Sequence, residues 1–245
     1  MSDTTCFLIC FFAITKNTHP ETLDLITKRG RMSLKIQNLV LVSCISIFSC
    51  EVFANFFDML TGIRNYENKE YMRAYDVFIK NAQDGDSDAQ YLLGVMYYNG
   101  DGVKRDYQQS INWYKKSIAQ GNKKAMNNLA YMYEKGAGVK INYVEAIRLY
   151  KESAETGDVT AKHNLATFYS TGKGVKIDYV QAFRLFKDAA EHGFVESQYN
   201  LGVMYAEGLG VEKNMNSAIM WLQKAADEEH QKAIKALLFY KTSEK

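Results

Sequence analysis

The sequence predicts an all-α solenoid. Three observations carry that prediction: a strict internal repeat, a helical spacing of apolar residues inside each copy, and paired glycines at one place in every copy. The stretch Ala89 to Asn122, AQYLLGVMYYNGDGVKRDYQQSINWYKKSIAQGN, begins again at Ala125, at Ala161, at Ser197 and, in part, at Ala233. Each step is 36 residues, with no insertion. A leucine recurs as Leu93, Leu129, Leu165, Leu201 and Leu237, and a tyrosine as Tyr97, Tyr133, Tyr169 and Tyr205. Glycines flank one residue and precede a valine at Gly100/Gly102/Val103, Gly136/Gly138/Val139, Gly172/Gly174/Val175 and Gly208/Gly210/Val211. A fixed period of this size marks stacked supersecondary units, none of which can bury its apolar face alone.

Each unit reads as two helices. In the first, from about Asp88 to Tyr98, Ala89, Leu92, Leu93, Met96 and Tyr97 follow the i, i+3, i+4, i+7 spacing of one buried face. Gly94, Ala130, Ala166 and Gly202 follow the leucine, and a tiny residue there admits a close neighbouring helix, although glycine costs ~1 kcal/mol inside a helix. Gly100 stands where a left-handed residue ends a helix. The second helix starts at Asp106, Asn142, Asp178 or Asn214, all good N-caps. Gln109, Glu145 and Gln181 stand three residues on, so three copies read as capping boxes, while the fourth has Ser217. Trp113, Tyr114 and Ile118 supply the buried stripe, and Gly121, Gly157 or Gly193 closes the helix.

A unit of this length with A-x-x-x-L-[GA]-x-x-Y-x-x-G-x-G-V-x-x-[DN] and a closing A/S-x-x-x-G resembles the Sel1-like repeat, a relative of the tetratricopeptide repeat lengthened by the glycine loop. The resemblance covers Ala89 to Tyr240 and implies a right-handed α/α superhelix used for protein–protein contact. Some secreted relatives carry a cysteine pair in each repeat. Here Cys6, Cys10, Cys44 and Cys50 all lie before the repeats, which puts the properties of that subgroup in doubt.

Along the chain, residues 1–31 show no periodicity, and the apolar run Cys6–Ile14 is too short for a bilayer span of about 20 residues. Residues 32–54 read as a signal peptide: Lys35, then an apolar run from Leu39 to Phe48, then Val52 and Ala54 placed for cleavage between Ala54 and Asn55. A retained membrane-anchoring helix and a lipid-modified Cys50 are the alternatives. Translation from Met32 would place that leader at the start of the chain. Residues 55–88 read as a degenerate tetratricopeptide-like unit, with helices over Phe56–Arg64 and Glu70–Gln83 and a short connection at 65–68 in place of the glycine loop. Terminal units are expected to be atypical, because one face has no neighbour. Four full repeats follow at 89–124, 125–160, 161–196 and 197–232, then a capping helix and tail at 233–245.

Composition narrows the function. The 245 residues are 47% hydrophobic and 24% charged, with formal net charge +2, which suits a folded helical protein and lacks the basic excess of a nucleic-acid binder. The Gly-x-Gly loops lack the Lys-Ser/Thr of a phosphate-binding loop and recur four times at a fixed period, so they read as turns and imply no cofactor. His163, His192 and His230 are too far apart in sequence for a helical metal site, and His163 falls in a column read as surface-facing. Ser110, Ser117, Ser153 and Ser197 replace alanine in repeat columns and read as packing, and no serine or cysteine has an evident histidine–acid arrangement. Trp113 and Trp221 share one column and read as core.

The variable columns of the first helices remain. They hold Tyr91/Val95/Tyr98, Asn127/Tyr131/Glu134, His163/Thr167/Ser170 and Tyr199/Val203/Ala206. In tetratricopeptide-like superhelices the first helices line the concave side, and a face rich in tyrosine and poor in charge suits an interface. The alternative for these aromatics is packing between adjacent repeats. The sequence thus points to a monomeric, non-catalytic scaffold, exported to the periplasm or beyond, that grips a protein or peptide without metal, cofactor or nucleic acid. Two other classes stay open: a hydrolase of cell-wall or β-lactam chemistry, as suggested for the cysteine-rich relatives, and a membrane-tethered assembly factor.

Overall fold

The computed structural model describes residues 50–243, with side chains from Phe56 to Thr242. Residues 32–49 of the predicted 32–54 leader, and the stretch 1–31, lie outside the described residues. The chain divides into two compact units at Arg64/Asn65. In the first, the described residues form α1 (Cys50–Glu67, which continues three residues into the second unit), and its backbone runs helically through the Ala54–Asn55 bond. Phe56, Phe57, Leu60 and Ile63 on α1 are exposed.

The second unit is a run of helices and, among the described residues, contains no strand. They are α2 (Tyr71–Gln83), α3 (Ser87–Asn99), α4 (Tyr107–Ile118), α5 (Lys123–Lys135), α6 (Tyr143–Glu155), α7 (Val159–Thr171), α8 (Tyr179–Glu191), α9 (Val195–Glu207), α10 (Met215–Asp227) and α11 (Gln231–Ser243). Each helix packs mainly on its neighbours in sequence, as an α/α solenoid requires. The helix–turn–helix pairs α3/α4, α5/α6, α7/α8 and α9/α10 are the four repeats. The connection after α1 is shorter than expected, because that helix runs to Glu67 and Lys69 turns the chain with φ 63°.

The repeated columns have distinct tasks. Leu93, Leu129, Leu165, Leu201 and Leu237 are buried, and Leu237 of α11 closes onto Leu222 and Ala225 of α10. The tyrosine column is half-buried and packs backward: the Tyr97 ring meets Tyr75 of α2 edge-on at 6.1 Å, and Tyr205 meets Phe183 of α8 at 5.2 Å. The small residue after the leucine lets the hairpin close, since a Cβ on Gly202 would meet Leu222 Cγ at 2.7 Å and one on Gly94 would enter the Tyr114 ring. Ser110, Ser117, Ser153 and Ser197 are fully buried, as small packing residues should be. Trp221 is buried, whereas Trp113 is only half-buried under the Lys116 ammonium, which lies 3.9 Å from the ring centre.

The glycine loop joins the two helices of each repeat. Gly100, Gly136, Gly172 and Gly208 are left-handed C-caps, with φ from 71° to 85°. The loop is then pinned by its own backbone: the N–H groups of Asp106, Asn142, Asp178 and Asn214 donate to the carbonyls of Tyr97, Tyr133, Tyr169 and Tyr205, each at 2.9 Å. This corrects the capping-box reading. The N-cap side chains accept from the next turn as predicted, for example Asn142 Oδ1 from the Glu145 N–H at 3.1 Å. The reciprocal half is missing because the N-cap N–H is already taken, and the Glu145 carboxylate turns to Arg148 instead.

Candidate protein-binding face

The first helices α3, α5, α7 and α9 carry every residue predicted for the inner face, and the structure sorts these residues into two kinds. The first column is packed against the residues that follow it, partly within its own repeat and partly on the next. The Tyr91 ring lies tilted 6.1 Å from Tyr114, with the Lys124 ammonium of the next repeat 6.0 Å away. Asn127 accepts a hydrogen bond from Asn164 Nδ2 of the following repeat at 3.1 Å. The Tyr199 ring lies tilted 5.0 Å from the His230 ring.

His163 departs furthest from its expected surface position. Its ring sits between Phe186 at 5.4 Å and Phe194 at 4.8 Å, and Nδ1 shares a hydrogen bond with Ser197 Oγ at 2.8 Å. Burial pushes its pKa below 6.5, against a smaller upward pull from the Glu196 carboxylate. The structure thus creates a serine–histidine pair invisible in the sequence, because its members stand one repeat apart. Ser197 has no solvent exposure, so no substrate carbonyl reaches its Oγ; the pair joins α7 to α9.

The second and third columns are mixed in burial. Val95 and Tyr98 are half-buried, with Tyr98 tilted against Tyr107 at 5.4 Å. Thr167 bonds back to its own helix, donating from its hydroxyl to the His163 carbonyl at 3.1 Å, while Ser170 donates to the Thr167 carbonyl. Val203 packs on the α10/α11 core, and Ala206 is buried. Glu134 is held by three groups: Lys135 Nζ at 2.7 Å, Lys173 Nζ of the next repeat at 4.0 Å, and the Tyr150 hydroxyl at 3.4 Å.

Tyr131 is the exception. It is 42% exposed, with the Lys135 ammonium 5.2 Å from its ring centre. Burial first, and the neighbouring phenols of Tyr131 and Tyr107 second, raise the Tyr98 hydroxyl above its usual pKa. Tyr98 packs on Tyr107 in the first repeat, and Tyr131 with Lys135 in the second lies near enough for their charges to act on the Tyr98 hydroxyl. Tyr107 and Lys135 escaped the sequence reading because it followed only the variable columns. Lys135 stands four residues after Tyr131, so helical spacing alone could have placed it there.

The Sel1 repeat family model matches four consecutive segments, residues 87–122, 123–158, 159–194 and 195–230, more than half of the chain. The chain belongs to the Sel1 repeat family. Its fold is similar to that of a Sel1 repeat protein from Oxalobacter formigenes, at 33% identity and a TM-score of 0.71, over 75% of this chain and 76% of that one. It is also similar to c5321, a protective antigen of uropathogenic Escherichia coli, at 32% identity and a TM-score of 0.68; this chain spans only 40% of that protein's length. A Sel1 repeat protein of Klebsiella pneumoniae shares the fold at 22% identity and a TM-score of 0.52, over 76% of this chain and 93% of its own. No curated protein matches. Sel1 repeat proteins are generally non-catalytic scaffolds for protein interaction.

Proposed function

We propose that this Sel1 repeat protein is an exported adaptor that binds a protein or peptide through the inner face of its first helices, centred on Tyr131. The observation that carries the reading is the contrast within that face. Most of its side chains are engaged with their own helix or with the helices packed beside it, while Tyr131 keeps an exposed ring with a lysine beside it. Aromatic side chains rimmed by charge are the usual anchors of protein interfaces. Export rests on the leader reading, with cleavage between Ala54 and Asn55 and release to the periplasm or the outside. The chain then works as a monomer, with no metal, cofactor or nucleic acid in its task. A test is to secrete the tagged full-length chain from its native host, cross-link it, and identify captured proteins for wild type and Tyr131→Ala. A protein lost only from the variant supports the reading; an identical catch from both overturns it. Mass of the exported chain tests the leader, which should leave a product beginning NFFDML.

A further inference from the structure

The solenoid has a second uncommitted surface, at the edge formed by the glycine loops and the starts of the second helices. Ile141 and Val144 at the start of α6, and Ile177 and Val180 at the same positions of α8, are 57%, 71%, 48% and 57% exposed. The outer repeats carry Arg105 and Gln108, or Lys213 and Asn216, in those columns, so the aliphatic strip is confined to the two central repeats.

The two halves of the strip stand on adjacent repeats that touch beside them. Gly174 of the third repeat lies against Tyr143, the residue before Val144, and Gly138 lies in the same way against Tyr107. In the first copy Gln108 Nε2 donates to the Gly138 carbonyl, which shows that this column reaches across to the next loop. Val144 stands where Gln108 does and has no donor. Among the described residues nothing reaches the equivalent Gly174 carbonyl, which leaves a backbone acceptor beside the strip.

Lys140 and Lys176 precede the two isoleucines, and no carboxylate among the described residues pairs with either. Charge complementarity then selects the occupant. We infer that this loop edge docks an extended acidic segment of a protein partner: aliphatic side chains on the strip, a backbone N–H on the Gly174 carbonyl, and carboxylates on the two lysines. A lipid surface suits it less well. The strip consists of four aliphatic side chains and has no exposed tryptophan of the kind that anchors proteins at membranes.

The test uses the full-length chain and a fluorescein-labelled peptide alternating leucine with glutamate, read by anisotropy. Binding should weaken with added salt. It should fall about tenfold or more in Val144→Ser/Val180→Ser and in Lys140→Glu/Lys176→Glu. Both pairs lie on the surface, and a melting curve matching wild type confirms that each variant folds. Tyr131→Ala should leave this binding unchanged, which separates the loop edge from the inner face. No binding, equal binding by Val144→Ser/Val180→Ser, or loss in Tyr131→Ala overturns the inference. So does preferred binding to phosphatidylserine-containing vesicles that the same serine pair abolishes.

Discussion

Gly138 rests against Tyr107 in the first turn of the preceding repeat's second helix, so closely that a Cβ on the glycine would overlap the tyrosine Cβ. Gly102 bears the same relation to Tyr71, where a Cβ would come within 2.8 Å of the backbone. The two glycines of each loop therefore do different work. The first ends a helix within the repeat, and the second sets how closely one repeat approaches the next.

The contrast with Gly157 measures that role. Gly157 also has positive φ, at 90°, but nothing lies within 4 Å of where its Cβ would be. Gly157→Ala should cost only the left-handed backbone penalty, about 1–2 kcal/mol. Gly138→Ala should cost a further 1–3 kcal/mol for the overlap. Urea denaturation of both variants checks this, and equal losses would mean that the Gly138–Tyr107 approach relaxes freely. Gly136→Val, at the helix-ending glycine with φ 71°, should lose about 1–3 kcal/mol.

Gln90 and Gln198 occupy one column, each with its amide on a backbone carbonyl eight residues earlier. Gln90 Oε1 also accepts from Gln120 Nε2 at 2.9 Å, whereas Gln198 Oε1 is buried without a partner. The counterpart of Gln120 is Glu228, a carboxylate with nothing to donate. Glu228→Gln should therefore raise stability by about 1 kcal/mol, the scale for satisfying a buried acceptor. A lower melting temperature in the variant would rule out the repeat-to-repeat analogy.

His163 predicts a pH dependence. Its folded pKa lies below 6.5, so between that lower value and 6.5 the unfolded chain binds more protons than the folded one. Stability should be full above about 6.5 and fall as the pH drops through that window. His163→Asn, which places there the residue found at Asn127, should remove this part of the slope. Denaturation midpoints for both proteins from pH 7.5 to pH 5 compare them directly; parallel curves would show that the ring titrates as it does in water.

Leu129 and Tyr131 stand two residues apart on α5 and should separate stability from binding. Leu129 is 3% exposed in the core, and Leu129→Ala should cost about 2–5 kcal/mol through the cavity left behind. Tyr131→Ala should leave melting nearly unchanged while weakening capture of the inner-face partner by ~2 kcal/mol. Tyr91→Ala belongs with the destabilising group, because its ring is packed on Tyr114. A Tyr131 variant that melts early would assign that ring to packing.

The sequence by itself determined the helices, the register of the repeats, the leucine core and the left-handed glycines, because each depends on neighbours within a few residues or on a fixed period. The N-caps at Asp106, Asn142, Asp178 and Asn214 are local in the same sense. Only the tertiary structure decided what each column faces across a repeat boundary. His163 and Ser197 are 34 residues apart, and Gly138 and Tyr107 are 31 apart; nothing in local spacing links them. The stacking of successive hairpins does so, by packing the helices of one repeat on those of the next. It turned Asn127 and His163 into joints between repeats, packed Tyr91 on Tyr114 of its own repeat, and left Tyr131, on the same set of helices, open to solvent.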